Sequence, residues 1–226
     1  MKTQNSETYY DKSYVSTQNA VAFDNLPIYK KYFVPHCNES MTVLDFGSGA
    51  GFLLASLKAE FKIAVDINAS ALQEAKLKGI DETHLNLNEI NSDSVDLIVS
   101  NSALEHVPTP RETLARLKEI LKKGGKIIIR VPHETLGWKY KPGDWNYHLY
   151  TWSPMAIGNL MNDVGFEEIK VSIEKSKRTP LFKLLRLVRL ERLGSYLYRL
   201  FRLLLEELEI YSVAVDGYCI VEAVKK

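Results

Sequence analysis

From residue 41 onward the apolar positions fall into short blocks, and their period switches between that of a strand and that of a helix. Residues 41–46 are apolar apart from one acid near the end, which marks a buried strand. Three glycines at alternate positions follow, and residues 52–61 then show the spacing of an amphipathic helix. Residues 62–68 predict a second strand, again with an acid at its end. Residues 69–78 predict a helix stopped by Gly79, and residues 83–87 a weakly alternating third strand. A fourth strand is expected over 95–100. An amphipathic helix over 111–123 ends at Gly124-Gly125, and a β-branched strand over 126–131 is closed by Pro132. Ser153-Pro154 opens a helix that runs to Asp163, and residues 168–173 and 217–224 predict the sixth and seventh strands. Strands alternating with helices through short connections imply a parallel sheet covered on both faces.

The stretch Val43 to Leu53 carries the first candidate chemistry. Strand, glycine turn and helix in that order form a nucleotide cradle, since glycine lets backbone approach a ligand closely and a helix start presents N–H groups. The dinucleotide fingerprint needs a third glycine where Phe52 stands, and no Lys follows to complete a phosphate loop. What remains is Asp45-x-Gly47-x-Gly49-x-Gly51. A carboxylate ahead of the glycines repels a pyrophosphate but accepts from the α-ammonium of an amino-acid ligand. Asp66 follows Gly47 at close to the ~20-residue spacing at which an acid reaches a bound ribose.

The glycine pattern resembles motif I of the class I S-adenosylmethionine-dependent methyltransferases. VDLIVSNSALEHV, LKEILKKGGKIIIRVP and HLYTWSPMAIGNLMNDVGF resemble later segments of that family, the last especially branches from polysaccharide biosynthesis. The resemblance covers about residues 40–172 and 217–224. It implies a Rossmann-like α/β fold with a mostly parallel seven-stranded sheet, and S-adenosylmethionine as cofactor. Cofactor contacts carry over to Asp45, Gly47, Gly49, Gly51, Asp66, Ile67, Asn86, Leu87 and Asn101. Where the family often has an acid for the adenine amino group, this chain has Asn86, Leu87 and Asn88.

If the acceptor is a hydroxyl, a base must take its proton, and His suits neutral pH. His133, just past the fifth strand, is the first candidate, and His148, in the aromatic stretch 137–152, is the second. His106 belongs to the family's common signature and is expected to position the loop after the fourth strand. His36 and His84 have no supporting context, and Asp144 and Glu105 stay open as base or orienter, although lone carboxylates are usually solvated or structural. The expected reaction is O-methylation of a sugar or glycan, lipid-linked or free. A quinone or other small aromatic acceptor, and a non-catalytic cofactor-binding assembly protein, stay open as alternatives.

Composition and charge change the picture at one place. Net charge is +1 with 46% hydrophobic residues, so the global balance favours no polyanion. Cys37 and Cys219 form no ligand pair, and no metal set is read. Residues 175–205, however, carry nine Lys or Arg against the single acid Glu191. From Tyr196 on, Leu197, Leu200, Phe201, Leu204, Leu205 and Leu208 share one face of a helical pattern. Three parts are therefore expected: an N-terminal helical or lid segment over 1–39, a core over 40–174 and 210–226, and a basic amphipathic helical insertion over 175–209. Such an insertion reads as membrane-surface docking, as packing on the core, or as a homodimer contact. No nucleic-acid-reading motif is present. Lacking a signal peptide or an 18-residue apolar run, the chain is expected in the cytoplasm, with peripheral contact at the inner membrane face if the basic segment docks there.

Overall fold

In the computed structural model the described residues are 25–133, 147–175 and 217–226. The strands are β1 (Thr42–Phe46), β2 (Phe61–Val65), β3 (Glu82–His84), β4 (Val95–Asn101), β5 (Leu121–His133), β6 (Glu167–Lys175) and β7 (Gly217–Val224). The helices are α1 (residues 25–32), α2 (Phe52–Ser56), α3 (Ala69–Leu77), α4 (Pro110–Ile120) and α5 (Pro154–Asp163). One seven-stranded sheet runs β3-β2-β1-β4-β5-β7-β6, and β7 alone is antiparallel to its neighbours. This is the Rossmann-like α/β sheet the sequence pattern predicts.

Each face of the sheet has its own core. On one, Leu44, Ile98, Ile127 and Ile129 pack with Leu114 and Leu117 of α4 and with Ile157 and Met161 of α5. On the other, Val43, Leu97, Val99 and Ile128 pack with Tyr29 of α1, with Phe33 just after it, and with Leu54 and Leu72. Caps match the sequence. The Asn68 side chain accepts from the amides of Ser70 and Ala71, and the Ser153 hydroxyl accepts from the amide of Ala156 ahead of Pro154.

Several boundaries differ from expectation. Helix α4 stops at Ile120 ahead of the expected Gly124-Gly125 stop, because Leu121 turns extended and begins β5. Helix α2 stops at Ser56, because Leu57 turns extended and the amides of Glu60 and Phe61 both donate to Met41 O, drawing Phe61 into β2. Strand β3 covers Glu82–His84 only, because Asn86 caps a 3-10 turn over Leu87–Glu89. Pro132 does not end β5, which continues to His133 paired with β7. The peptide edge of residue 132 faces the side where β4 has already ended at Asn101, so no ladder bond is lost to proline. On that side Pro132 O accepts from Trp152 N at 3.3 Å.

Strand β6 ends at Lys175 opposite Gly217, the first residue of β7, and Gly217 in turn pairs with His133. The chain therefore leaves and re-enters the sheet at the carboxyl edge of the parallel strands. The basic stretch between these residues, the N-terminal residues 1–24 and residues 134–146, which hold most of the aromatic stretch and Asp144, lie outside the described residues.

Candidate active site

The glycine turn after β1 is strained in a way only glycine tolerates. Gly47, Gly49 and Gly51 have φ of +73°, +51° and +76°. A Cβ on Gly47 would stand 2.2 Å from the Ala103 Cβ, so the loop after β4 closes directly onto the turn, whereas a Cβ on Gly49 would meet nothing within 4 Å. The amides of the turn are largely committed within the protein. Gly47 N and Ser48 N donate to Val65 O (2.8 and 3.1 Å), Gly51 N donates to Ser48 O, and Gly49 N donates to Asp66 Oδ2 at 2.7 Å. The turn amides are thus used to hold β1, β2 and the turn together, which suits the exclusion of a pyrophosphate.

Asp45 is 1% exposed, and its Oδ1 has no hydrogen-bond partner among the described residues. Burial and the neighbouring Asp66 carboxylate push its pKa up to about 8. Burying a carboxyl with an unmatched oxygen is costly, and a ligand ammonium at this point would relieve the cost. Asp66 accepts from Asn68 N through Oδ1 and from Gly49 N through Oδ2. These two bonds lower its pKa but burial outweighs them, so it too is raised. Each Asp66 oxygen keeps a second lone pair suited to a ribose hydroxyl. The residues therefore fit an adenosyl amino acid: a buried acid for its ammonium, a glycine turn against its body and an anchored acid for its sugar.

Register fixes which candidates share a side. Asp45, Val99 and Ile128 stand level, so Asp45, Asn101 and Arg130 lie on one face, together with Tyr29. Asn101 Oδ1 accepts from Arg130 Nη1 at 3.0 Å. Ile67 is exposed beside Asp66, while Leu87 packs on the core of the opposite face. The Asn86 carboxamide is engaged locally, accepting from Asn88 N and donating to Glu89.

His133 falls on the other face of β5, roughly 16 Å beyond the level of Asp45 along the strand direction. Its Nδ1–H donates to Trp152 O at 2.8 Å, an assignment fixed because a carbonyl can only accept. Nε2 then carries the lone pair. Residues 147–152 run from the loop after β4 to this point. Leu149 N and Tyr150 N donate to Glu105 O, and the His106 Nδ1–H donates to Tyr147 O at 3.3 Å. His148 packs edge-on to His106 with ring centroids 4.9 Å apart. Burial, followed by His148, lowers the His106 pKa to about 4. Glu105 is 0% exposed, and its Oε1 stands 3.9 Å from His106 Nε2 and 4.0 Å from His148 Nε2. Asp45, Asp66 and the glycines thus gather at the ends of β1 and β2, while Glu105, His106 and His148 cluster where residues 147–150 meet the loop after β4. His84 lies between Glu82 and Glu89, and His36 contacts Lys126 and Glu222.

Sequence reasoning missed Arg130. It is 4% exposed, donates from Nε to Glu174 Oε2 at 2.8 Å, and lies 3.3 Å from the centre of the Tyr218 ring. The available signal was a lone charge inside an isoleucine-rich strand.

The chain matches the family model described as a methyltransferase domain over residues 22–171. It is 33% identical over 96 residues to trans-aconitate 2-methyltransferase of Deinococcus radiodurans, covering 40% of this chain and 37% of that protein. It is 28% identical over 121 residues to the ubiquinone biosynthesis O-methyltransferase of Nitrosococcus oceani, covering 48% of this chain and 51% of that one. These matches span about a third to a half of the length of the curated relatives. In fold it is similar to phosphoethanolamine N-methyltransferase 2 of Haemonchus contortus in complex with S-adenosyl-L-methionine. The TM-score is 0.59 at 18% identity, over 90% of this chain and 52% of that one.

Proposed function

Because the chain belongs to the methyltransferase-domain family, we propose that it binds S-adenosylmethionine at Asp45, the glycine turn and Asp66 and methylates a hydroxyl of a small acceptor, a sugar or glycan first among them. The observation that carries the cofactor reading is the buried, unmatched Oδ1 of Asp45 above a turn whose own amides are already used. Gly47 and Gly51 shape the turn, and Gly49 ties it to Asp66. Ile67 offers an apolar surface to the adenine, and Asn101 and Leu87 border the same edge. The Asn86 carboxamide, committed to its cap, contributes less to adenine recognition than a free acid would. When bound, the cofactor supplies a methyl group already activated as a sulfonium. The protein has only to align the acceptor and keep water out.

His133 is the proposed base. Its Nδ1–H is held by Trp152 O, so the imidazole is oriented and Nε2 is left as the proton acceptor. His133→Ala is expected to lower kcat by about 10²–10⁴ while leaving the Kd for S-adenosylhomocysteine within twofold. A variant that turns over normally would remove His133 from the chemistry. An aromatic acceptor, as in the similar ubiquinone biosynthesis enzyme, is the second reading. Tyr150 and Trp152, stacked with centroids 5.7 Å apart beside the histidines, favour it. Methyl transfer assayed on sugar and quinol acceptors in parallel separates the two.

The nine basic residues between 175 and 205 suit an anionic surface, and the pairing of Lys175 with Gly217 brings both ends of the stretch to the reactive edge. Among the described residues no helix is long and apolar enough to cross a membrane. Deleting residues 176–209 is expected to abolish co-sedimentation with vesicles containing anionic lipid. Equal sedimentation of the deletion and the full chain would dismiss membrane docking.

A further inference from the structure

We propose that Glu105, His106 and His148 form a binding site for one divalent first-row transition cation on the acceptor side of the sheet edge. Their ligand atoms all lie within 4.8 Å of one another. The two imidazole Nε2 atoms converge on the same carboxylate oxygen, at 3.9 and 4.0 Å. Those distances exceed a hydrogen bond. Two donors each about 2.1 Å from a common ion stand about 3–3.5 Å apart, so closing the site takes a shift of about half an ångström in each histidine–carboxylate pair and a little over an ångström between the two imidazoles.

Two further features belong to a metal site. Metal-bound histidines characteristically donate their other ring N–H to a carbonyl or carboxylate, which fixes the tautomer. His106 does so, its Nδ1–H donating to Tyr147 O. Buried carboxylates are characteristically paired or on a metal, and Glu105 is 0% exposed. The donors come from two separate parts of the chain, which hydrogen bonds from Leu149 N and Tyr150 N to Glu105 O draw together. Two imidazoles and one carboxylate make a three-donor set with open positions, suited to Fe(II), Co(II), Mn(II) or Zn(II) in preference to Ca(II). If the methyltransferase reading holds, the open positions face the acceptor and favour one with two adjacent oxygen donors, such as vicinal hydroxyls. The binding of the ion does not depend on that reading.

Cobalt titration of the full chain tests the site. Expected is one equivalent of Co(II) with a visible d–d absorption band, displaced by Zn(II). Affinity should fall at least about 100-fold in His148→Ala, more than loss of an outer-sphere partner causes. His148 is the milder position, since its side chain is 17% exposed while that of Glu105 is fully buried. Thermal melting and S-adenosylhomocysteine calorimetry on the same variant establish that the fold and the cofactor side survive. No band in the wild type, or the same titration in His148→Ala, overturns the proposal. Absent S-adenosylhomocysteine binding beside intact cobalt binding would instead count against the methyltransferase reading alone.

Discussion

Asp45→Asn is expected to stabilise the ligand-free protein above neutral pH and, at the same time, to remove most of its affinity for S-adenosylhomocysteine. Asp45 is buried with its pKa raised to about 8. Between pH 4 and 8 the folded chain keeps a proton that the unfolded chain has released. Its contribution to stability is therefore fully present below the unfolded value near 4 and is lost as pH rises through 8. At about 1.4 kcal/mol per pH unit the loss amounts to several kcal/mol, which Asn, neutral and isosteric, does not suffer. At pH 8.5 this corresponds to a melting point higher by on the order of 5–10 °C for a chain of this size.

The cofactor reverses the preference. An α-ammonium beside Asp45 favours the carboxylate, so binding to the wild type releases a proton and tightens as pH rises from 6 to 8. Losing one partner of a buried charge pair costs about 2–5 kcal/mol, or 30-fold and upward in Kd. Melting curves from pH 5 to 9 and calorimetry in two buffers of different ionisation enthalpy read both effects. An Asn variant less stable across the whole range, or a wild-type binding heat independent of buffer, would falsify this assignment.

Gly47→Ala and Gly49→Ala should separate packing from binding. Both glycines have left-handed backbone, which costs a side chain about 1–2 kcal/mol. At Gly47 the new methyl also lands 2.2 Å from Ala103 Cβ, an atom fixed directly to backbone, so the loop after β4 must move. Overpacking adds about 1–3 kcal/mol, for a total of about 2–5 kcal/mol by urea unfolding. Gly49→Ala meets no protein atom and should lose only the backbone share. Its methyl sits where the cofactor passes, so its affinity for S-adenosylhomocysteine should fall although the protein stays folded. Equal unfolding free energies for the two variants would mean that the close approach of Ala103 carries no weight.

The side proposed for the cofactor was legible in the sequence because it is local. Asp45, the glycines and Asp66 lie in one strand-turn-helix-strand unit, and short-range chemistry sets their order. The cluster of Glu105, His106 and His148 was not. Glu105 reads as a lone carboxylate beside His106 until residues 147–152 fold back onto it, and nothing in its own neighbourhood announces a distant His148. Pro132 was misread as a stop because its tolerance depends on where β4 ends, a fact of register. Arg130 was passed over because an isoleucine run suggests burial, and its partners Glu174 and Tyr218 lie far along the chain. The overlong α2 shows the same limit, since Phe61 fits a helical period but is claimed by β2.

The meeting of Lys175, Gly217 and His133 at one sheet edge has a consequence for how this protein could change. Whatever residues 176–216 carry is tethered at both ends beside His133, and toward an acceptor bound there, as proposed, it would act at an effective concentration on the order of millimolar. Substrate range can then drift through that stretch alone, with the grip on the methyl donor left untouched.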